Sequence, residues 1–263
     1  FSWDRSHVTF LKKYGIKNVS YLPLGTDPLY FKRLKQKKKY ITSFVGSLAT
    51  PEEIMDSAST LDNETRLYTD SIIQKKIFDQ NYEILTEDTL LPMNKKNIFY
   101  DYYKYIDSKY NNLYRKQYIS HLTNFTKMDI FGNKEWQKVS GIEYHTGIDY
   151  KYINRDIYSL SEININLTSA HLMTSINQRI FDCYGSGHFM ITDYRDDIKY
   201  LFKKCNFNIP SFKTKEELVD KVNYFLQNHR QVEEITYAVQ THIIENHTWT
   251  HRMTEALQVL NKK

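Results

Sequence analysis

The chain has 263 residues, of which 41% are hydrophobic and 25% are charged, and its formal net charge is +5. Such a chain can bury a substantial core as one large or two small domains, and this composition excludes general disorder. The modest positive charge would suit nucleotide phosphates and does not require a nucleic-acid partner.

The two cysteines, Cys183 and Cys205, do not have the spacing of a metal site. So few cysteines argue against a disulfide framework and favour a reducing cytoplasm. No apolar run reaches the roughly 18 residues of a membrane helix, and no signal peptide is visible. We therefore expect a cytoplasmic protein without a transmembrane segment.

The first segment predicts a helix over 4–14, ended by Gly15, and a strand over 19–22. A run rich in lysine and arginine follows over 32–39, and this shift in composition places a domain boundary near residue 38. The chain begins with Phe1 rather than methionine, so we expect that an upstream portion is missing.

An apolar, β-branched strand is predicted over 40–45, and Gly46 and Ser47 follow it. A glycine turn after a first strand lets the backbone approach a phosphate closely, although a plain tight turn explains the same pattern.

Residues 51–124 are mostly helical in periodicity, and Pro92 is expected to split them. Tyr103, Tyr110 and Tyr114 lie on one side of a helix at this spacing, which favours core packing. Acceptor binding and base stacking are the alternative interpretations of these tyrosines.

Strands and helices alternate through the rest of the chain, which predicts a doubly wound parallel sheet. The predicted strands are 127–131, 142–147, 163–167 and 188–192, and the predicted helices are 149–159, 178–184, 197–203, 216–228, 231–246 and 248–260.

The loop before the helix at 178 carries Ser175, Asn177, Gln178 and Arg179. These hydrogen-bond donors near a helix start favour a phosphate-bearing ligand. Arg179 suits phosphate oxygens best because its guanidinium is planar, and its alternative role is a salt bridge with Asp182 or Asp193.

An ordered series of motifs resembles the CgeB-like branch of the GT-B glycosyltransferases, named after a spore maturation protein of bacteria. The series covers most of the chain except about 52–113. Its pieces are FSWDRSHVTFLKKYGIKNVSYLPLGTDP at the start, SFVGS at 43–47, DIFGNKEW at 129–136, the Asn177 to Asp193 segment, and HTWTHR at 247–252.

The resemblance implies an α/β fold, a Rossmann-like parallel sheet of a GT-B carboxyl-terminal domain with a helical insertion. Residues 1–38 would be the tail of an amino-terminal GT-B domain with its linker. Residues 39–263 would bind the nucleotide-sugar, with the insertion at about 52–124.

The implied function is transfer of a sugar from a nucleotide-sugar donor to an acceptor hydroxyl on a glycan, a protein or a small molecule. The general base would lie in the amino-terminal domain. A nucleotide-sugar epimerase of the same fold and a non-catalytic nucleotide- or carbohydrate-binding module are the alternatives.

The resemblance also implies a donor site. Its predicted residues are Gly46, Ser47, Gly132, Asn133, Tyr144, His145, Gly147, Ser175, Asn177, Gln178, Arg179 and Asp182. Asp182 would hold the ribose hydroxyls, although Thr174 stands where retaining relatives have a paired glutamate. His145 would meet the nucleobase or serve only as a packed histidine.

Three carboxylates, Asp193, Asp196 and Asp197, could suggest a divalent cation. Their spacing differs from a metal signature, and helix capping by Asp196 explains the cluster. We expect no metal and no cofactor, since the nucleotide-sugar is a substrate.

Overall fold

The computed structural model describes residues 1–80, 82–84 and 98–261. In this part of the chain one six-stranded sheet runs in the order β3-β2-β1-β4-β5-β6, and every neighbouring pair is parallel. The strands are β1 (Tyr40–Val45), β2 (Met128–Gly132), β3 (Ile142–Thr146), β4 (Ser161–Asn166), β5 (Met190–Asp193) and β6 (Ser211–Phe212).

The connections β2–β3 and β3–β4 hold 3-10 and π turns. α-Helices precede β1, lie in the other connections and follow β6. They are α1 (Arg5–Lys13), α2 (Pro51–Ala58), α3 (Asn63–Phe78), α4 (Ile98–Leu122), α5 (Gln178–Gly185), α6 (Asp196–Leu201), α7 (Lys215–Gln227), α8 (His229–Asn246) and α9 (Trp249–Leu260). The predicted α/β fold with a parallel sheet is therefore confirmed.

Strand order places β1 and β4 side by side at the centre of the sheet. The chain moves outward from β1 to β3 and then returns to the other side of β1, where Thr42 pairs with Ile163 and Phe44 with Ile165. The connections leaving β1 and β4 therefore diverge. We call the switch point at their carboxyl ends the central crevice, because open α/β sheets bind ligands there.

The sequence located most elements to within about two residues, but several predictions were wrong. The predicted helix over 149–159 is a 3-10 turn, Tyr150–Tyr152, followed by a π-turn, Asn154–Tyr158. The predicted strand over 19–22 is only a single bridge between Ser2 and Tyr21. The split expected at Pro92 lies outside the described residues.

The predicted tyrosine face of α4 packs into the core. Tyr110 and Tyr114 are fully buried, and their rings stack with centroids 5.1 Å apart. Core packing therefore accounts for these tyrosines, because buried rings cannot present an open stacking platform.

The last helix closes back onto the first residues of the chain. Thr248 caps α9 together with His251, and the buried guanidinium of Arg252 donates to the backbone oxygen of Leu24 at 3.0 Å. The amide of Thr26 donates to the carbonyl of His247 at 2.9 Å. Residues near 24–26 are thus held at the start of α9.

Two glycines at the carboxyl edge of the sheet differ in the space around them. A Cβ on Gly132 would lie 2.4 Å from the carbonyl oxygen of Gly46, whereas a Cβ on Gly147 would meet nothing closer than 3.5 Å. We expect Gly132→Ala to lower the free energy of unfolding by about 1–3 kcal/mol through overpacking.

Urea denaturation measures the difference, with Gly147→Ala as the matched control that should stay within about 0.5 kcal/mol of the unmodified protein. Equal stability of the two variants would contradict the overpacking expected at Gly132.

Candidate functional site

Arg115 bridges the two loops that diverge at the central crevice. From α4, its Nη1 donates to the backbone oxygen of Ser47, after β1, at 2.5 Å. Its Nη2 donates to Oγ of Ser169, after β4, at 3.0 Å. Both acceptors are neutral, and the buried Nε has no partner in the described part of the chain. A charged group thus lies at the crevice with a donor unused.

Arg179 brings a second guanidinium to the same place. Burial, reinforced by the nearby positive charge of Arg179, lowers the pKa of Arg115 to about 10. Within residues 1–80, 82–84 and 98–261, Arg179 has no hydrogen-bond or ion-pair partner. The alternative salt bridge is not formed, because Asp193 pairs with Arg195 at 2.9 Å and Asp182 is bonded elsewhere. Two cations without acidic partners suit an anionic ligand.

Predicted residues after β1 and β2 hold the backbone of the loop that follows β1. The side-chain amide of Asn133 accepts from the amide of Leu48 at 3.1 Å and donates to its carbonyl at 2.6 Å. Asn112, which the sequence analysis missed, brackets Ala49 in the same way. Gly132 meets the carbonyl of Gly46 so closely that no side chain fits. These contacts shape the loop around the exposed Ser47.

The carboxylate of Asp4 organises the loop before α5. Its Oδ2 accepts from the amides of Met173, Thr174 and Ser175 at 2.7–3.1 Å, and its Oδ1 accepts from the Thr174 hydroxyl at 2.9 Å. Asp4 also caps α1 through the amide of Ser6. The amide of Ser175 is therefore engaged by Asp4, and its hydroxyl donates to the carbonyl of Ile176.

Asp182 lies fully buried on α5, one turn after Gln178. Its Oδ1 accepts from the Thr26 hydroxyl at 2.7 Å and from Nε2 of Gln178 at 3.0 Å. Its Oδ2 accepts from the phenol of Tyr150, whose side chain is still 44% exposed. Burial raises the pKa of Asp182 to about 6, although its three hydrogen bonds act in the opposite direction. Both carboxylate oxygens of Asp182 are therefore engaged by protein groups, and its predicted ribose contact stays a prediction.

Asn177 contributes a further polar group beside the crevice. Its Nδ2 donates to Oδ1 of Asn166, at the end of β4, at 2.7 Å. Its Oδ1 is buried and has no partner among the described residues. This free acceptor lies two residues before Arg179.

The residues of β3 have partners within the sheet. Nε2 of His145 lies 2.7 Å from Oδ1 of Asp129 on β2, and its ring stacks on Phe131 with centroids 4.5 Å apart. The hydroxyl of Tyr144 lies 3.4 Å from the carbonyl of Gly132. His145 is thus a packed, hydrogen-bonded histidine in this structure, which leaves Gly147 as the most open of the predicted residues here.

The acidic cluster after β5 is satisfied by protein groups. Asp193 pairs with Arg195, and Asp197 accepts from Arg5 at 2.5 Å and from Tyr21 at 2.9 Å. The prediction that Asp196 caps the helix was wrong, since the N-cap residue is Arg195 and has no side-chain capping bond. Asp196 is the first residue of α6 and accepts from the Tyr194 hydroxyl.

Several residues of this site carry no signal in the sequence, among them Arg115, Asn112, Tyr150, and Asp4 as a loop organiser. Arg115 stands in an amphipathic helical stretch where one more basic residue carries no signal. Asp4 lies about 170 positions before the loop that it binds. A helix cap can be predicted from sequence because it involves residues two or three positions away, whereas a contact between residues about 170 positions apart cannot.

Comparison with known structures supports the fold. Sucrose-phosphate synthase from Thermosynechococcus elongatus is similar at a TM-score of 0.56 with 8% identity, over 98% of this chain and 56% of that one. Anabaena HepE in complex with UDP gives 0.55 with 7% identity, over 100% and 63%. A glycosyltransferase from Rickettsia africae gives 0.51 with 13% identity, over 97% and 61%.

This chain therefore spans roughly three fifths of the length of those structures. No curated protein sequence matches it. Within the described residues, no helix combines the length and hydrophobicity that a membrane crossing needs.

The parallel sheet and its relatives define a fold of the GT-B glycosyltransferase type. Residues 115–258, just over half of the chain, match the family described as Glycosyl transferase-like. The chain belongs to that family. The narrower CgeB-like assignment stays a prediction.

Asp4 supports the loop before α5 through a single carboxylate, and this role can be tested by stability. We expect Asp4→Asn to lower the free energy of unfolding by about 3 kcal/mol, because buried amides lose a charged acceptor. The carboxylate of the exposed Asp27 accepts, among the described residues, from the amide of Leu29 alone. Asp27→Asn is therefore the matched control, with a loss near 0.5 kcal/mol. Similar losses in chemical denaturation would contradict the role assigned to Asp4.

The raised pKa of Asp182 makes stability depend on pH. Its pKa rises from 3.8 to about 6 on folding, so the folded state binds this proton more tightly than the unfolded state does. The contribution of Asp182 is therefore greatest below pH 4 and is lost as the pH rises from about 4 to about 6. Asp182→Asn removes this titration. The free energy of unfolding of the variant, minus that of the unmodified protein, should therefore rise by on the order of 3 kcal/mol between pH 4 and pH 7.

Urea denaturation of both proteins at several pH values in this range measures the difference. A constant difference across the range would show that Asp182 does not titrate as its burial requires.

Proposed function

We propose that this chain binds the nucleoside diphosphate of a nucleotide-sugar donor, and that the protein transfers the sugar to an acceptor hydroxyl. The observation that carries the proposal is the pair Arg115 and Arg179 at the central crevice. Both guanidinium groups lack an acidic partner among the described residues, and Arg115 keeps a buried donor unused.

The diphosphate would lie between the two arginines, beside the loop at Gly46 and Ser47. When the sugar bond breaks, the leaving group gains negative charge, and fixed guanidinium groups stabilise it without reorganisation. The fold relative solved with UDP supports a nucleotide as the ligand class. This role combines the predicted Arg179 with Arg115, which the sequence analysis had not assigned.

The ribose would be held by Asp182 once the phenol of Tyr150 gives up Oδ2. Because Tyr150 is only half-buried, its ring can turn toward solvent without opening the core. The nucleobase would then lie near the open backbone at Gly147. The acceptor and the general base are proposed to belong to an amino-terminal GT-B domain.

Calorimetric titration with UDP, GDP, dTDP and ADP tests the proposal. We expect one diphosphate to bind selectively, and we expect Arg179→Gln and Arg115→Gln each to weaken its affinity by about 10-fold to 100-fold. That range corresponds to loss of a hydrogen bond to a charged group.

Arg230→Gln is the matched control, since the side chain of Arg230 is 92% exposed on α8 and, in the part of the chain that the structure describes, pairs with Glu234 alone. This variant should bind like the unmodified chain. Absence of binding by the folded chain, or equal weakening in all three variants, would contradict the proposed donor site.

A further inference from the structure

A pocket of about 680 Å³ lies at the opposite edge of the sheet from the crevice. It is lined by the segment over 33–38, by residues at the amino ends of β4 and β5, and by α8. We call it the amino-edge pocket. The six residues of β4 separate it from the crevice by about 17 Å. Its volume falls within the range of small-molecule sites, about 300–1,000 Å³.

The deep wall of the amino-edge pocket carries two polar groups that the protein leaves unpaired. His188 and Thr236 are 5% and 8% exposed, and neither Nε2 of His188 nor Oγ1 of Thr236 has a partner among the described residues. Buried polar atoms are nearly always hydrogen-bonded, so these two require a partner that the folded chain does not supply.

The charges around these groups are mainly positive. Burial and the nearby charges of Lys38 and Arg33 lower the pKa of His188 to about 3. Lys38 donates to the carbonyls of Ser159 and Ser161 at 3.1 and 2.7 Å. Arg33 has no hydrogen-bond or ion-pair partner within the described ranges, and its stem packs over Gly187.

Other groups facing the amino-edge pocket do not cancel this positive field. Two carboxylates line the pocket: Glu162, whose charge acts to raise the pKa of Lys38, and Glu233, which is exposed on α8. Lys35 and His229 line the pocket as well. The 18-residue helix α8 begins here at His229 without a side-chain cap, which adds its positive end.

The remaining lining combines polar residues, among them Gln36 and Gln240, with an apolar part. Phe189 is 3% exposed, and Leu34, Val232 and the ring of Tyr237 complete the walls. Cations beside an apolar cavity with unpaired polar atoms match a ligand with one anionic group on an apolar body. We propose that the amino-edge pocket binds a small organic anion of this kind, at a site separate from the donor crevice.

Titration of the full chain with anilinonaphthalene sulfonate, an apolar aromatic anion, tests the proposal by fluorescence. We expect saturable binding at one site and at least fivefold weaker affinity in Arg33→Gln. Lys32→Gln is the matched control, because the exposed Lys32 is adjacent, carries the same charge and does not line the pocket. It should bind the probe as the unmodified chain does.

Two further arms locate the binding site. The imidazole resonances of His188, assigned with a His188→Gln variant, should shift as the probe saturates. Arg179→Gln and an excess of nucleotide should leave probe binding unchanged. Unmoved His188 resonances, equal affinity in the two charge variants, or displacement by nucleotide would each overturn the proposal. Because the arms at Arg33 and Arg179 are independent, failure here is distinguishable from failure of the donor site.

Discussion

The central crevice depends on one buried guanidinium. Where β1 and β4 send the chain in opposite directions, the single side chain of Arg115 bonds to both of the loops that follow them. Hydrogen bonds from Arg115 to Ser47 and Ser169 join the two loops. Arg115 belongs to α4, which lies in the connection between β1 and β2. Burying this cation costs desolvation energy, and hydrogen bonds to the neutral oxygens of Ser47 and Ser169 offset that cost only in part. The helices of that connection therefore contribute directly to the edge where a ligand would bind.

The same edge is also held by the first residues of the chain. The carboxylate of Asp4 accepts hydrogen bonds from the amides before α5, and the Thr26 hydroxyl donates to Asp182. The guanidinium of Arg252 donates to the carbonyl of Leu24. Each is a polar contact between segments far apart in sequence. Because backbone amides and a buried carboxylate satisfy one another here, the loop before α5 is preorganised before any ligand arrives, and with it Asn177 and the first turn of α5 that carries Arg179. The predicted site residues thus divide into groups that hold the scaffold, such as Asn133 and Ser175, and groups left available, such as Arg179.

Local patterns predicted the regular elements well and the irregular ones poorly. Apolar runs located the central strands. Thr214 and Thr248 cap α7 and α9 through contacts with residues three positions on, which is a local interaction. The stretch over 149–159 has helical periodicity but forms 3-10 and π turns, since Tyr150 is drawn to Asp182 and Asn154 donates to the carbonyl of Lys32. The two-residue strand β6 is too short to produce a periodic signal.

The sequence by itself determined the α/β class, most of the strands and helices, and the presence of Arg179 and Asp182 in α5. These follow from hydrophobic periodicity and from spacing within one helix, which are local properties. Only the tertiary structure decided that Arg115 joins Arg179 at the crevice, that Asp4 holds the loop before α5, and that Tyr150 covers Asp182. Such contacts depend on how segments that are distant in sequence pack around the sheet, and no local pattern along the chain predicts which of these segments meet.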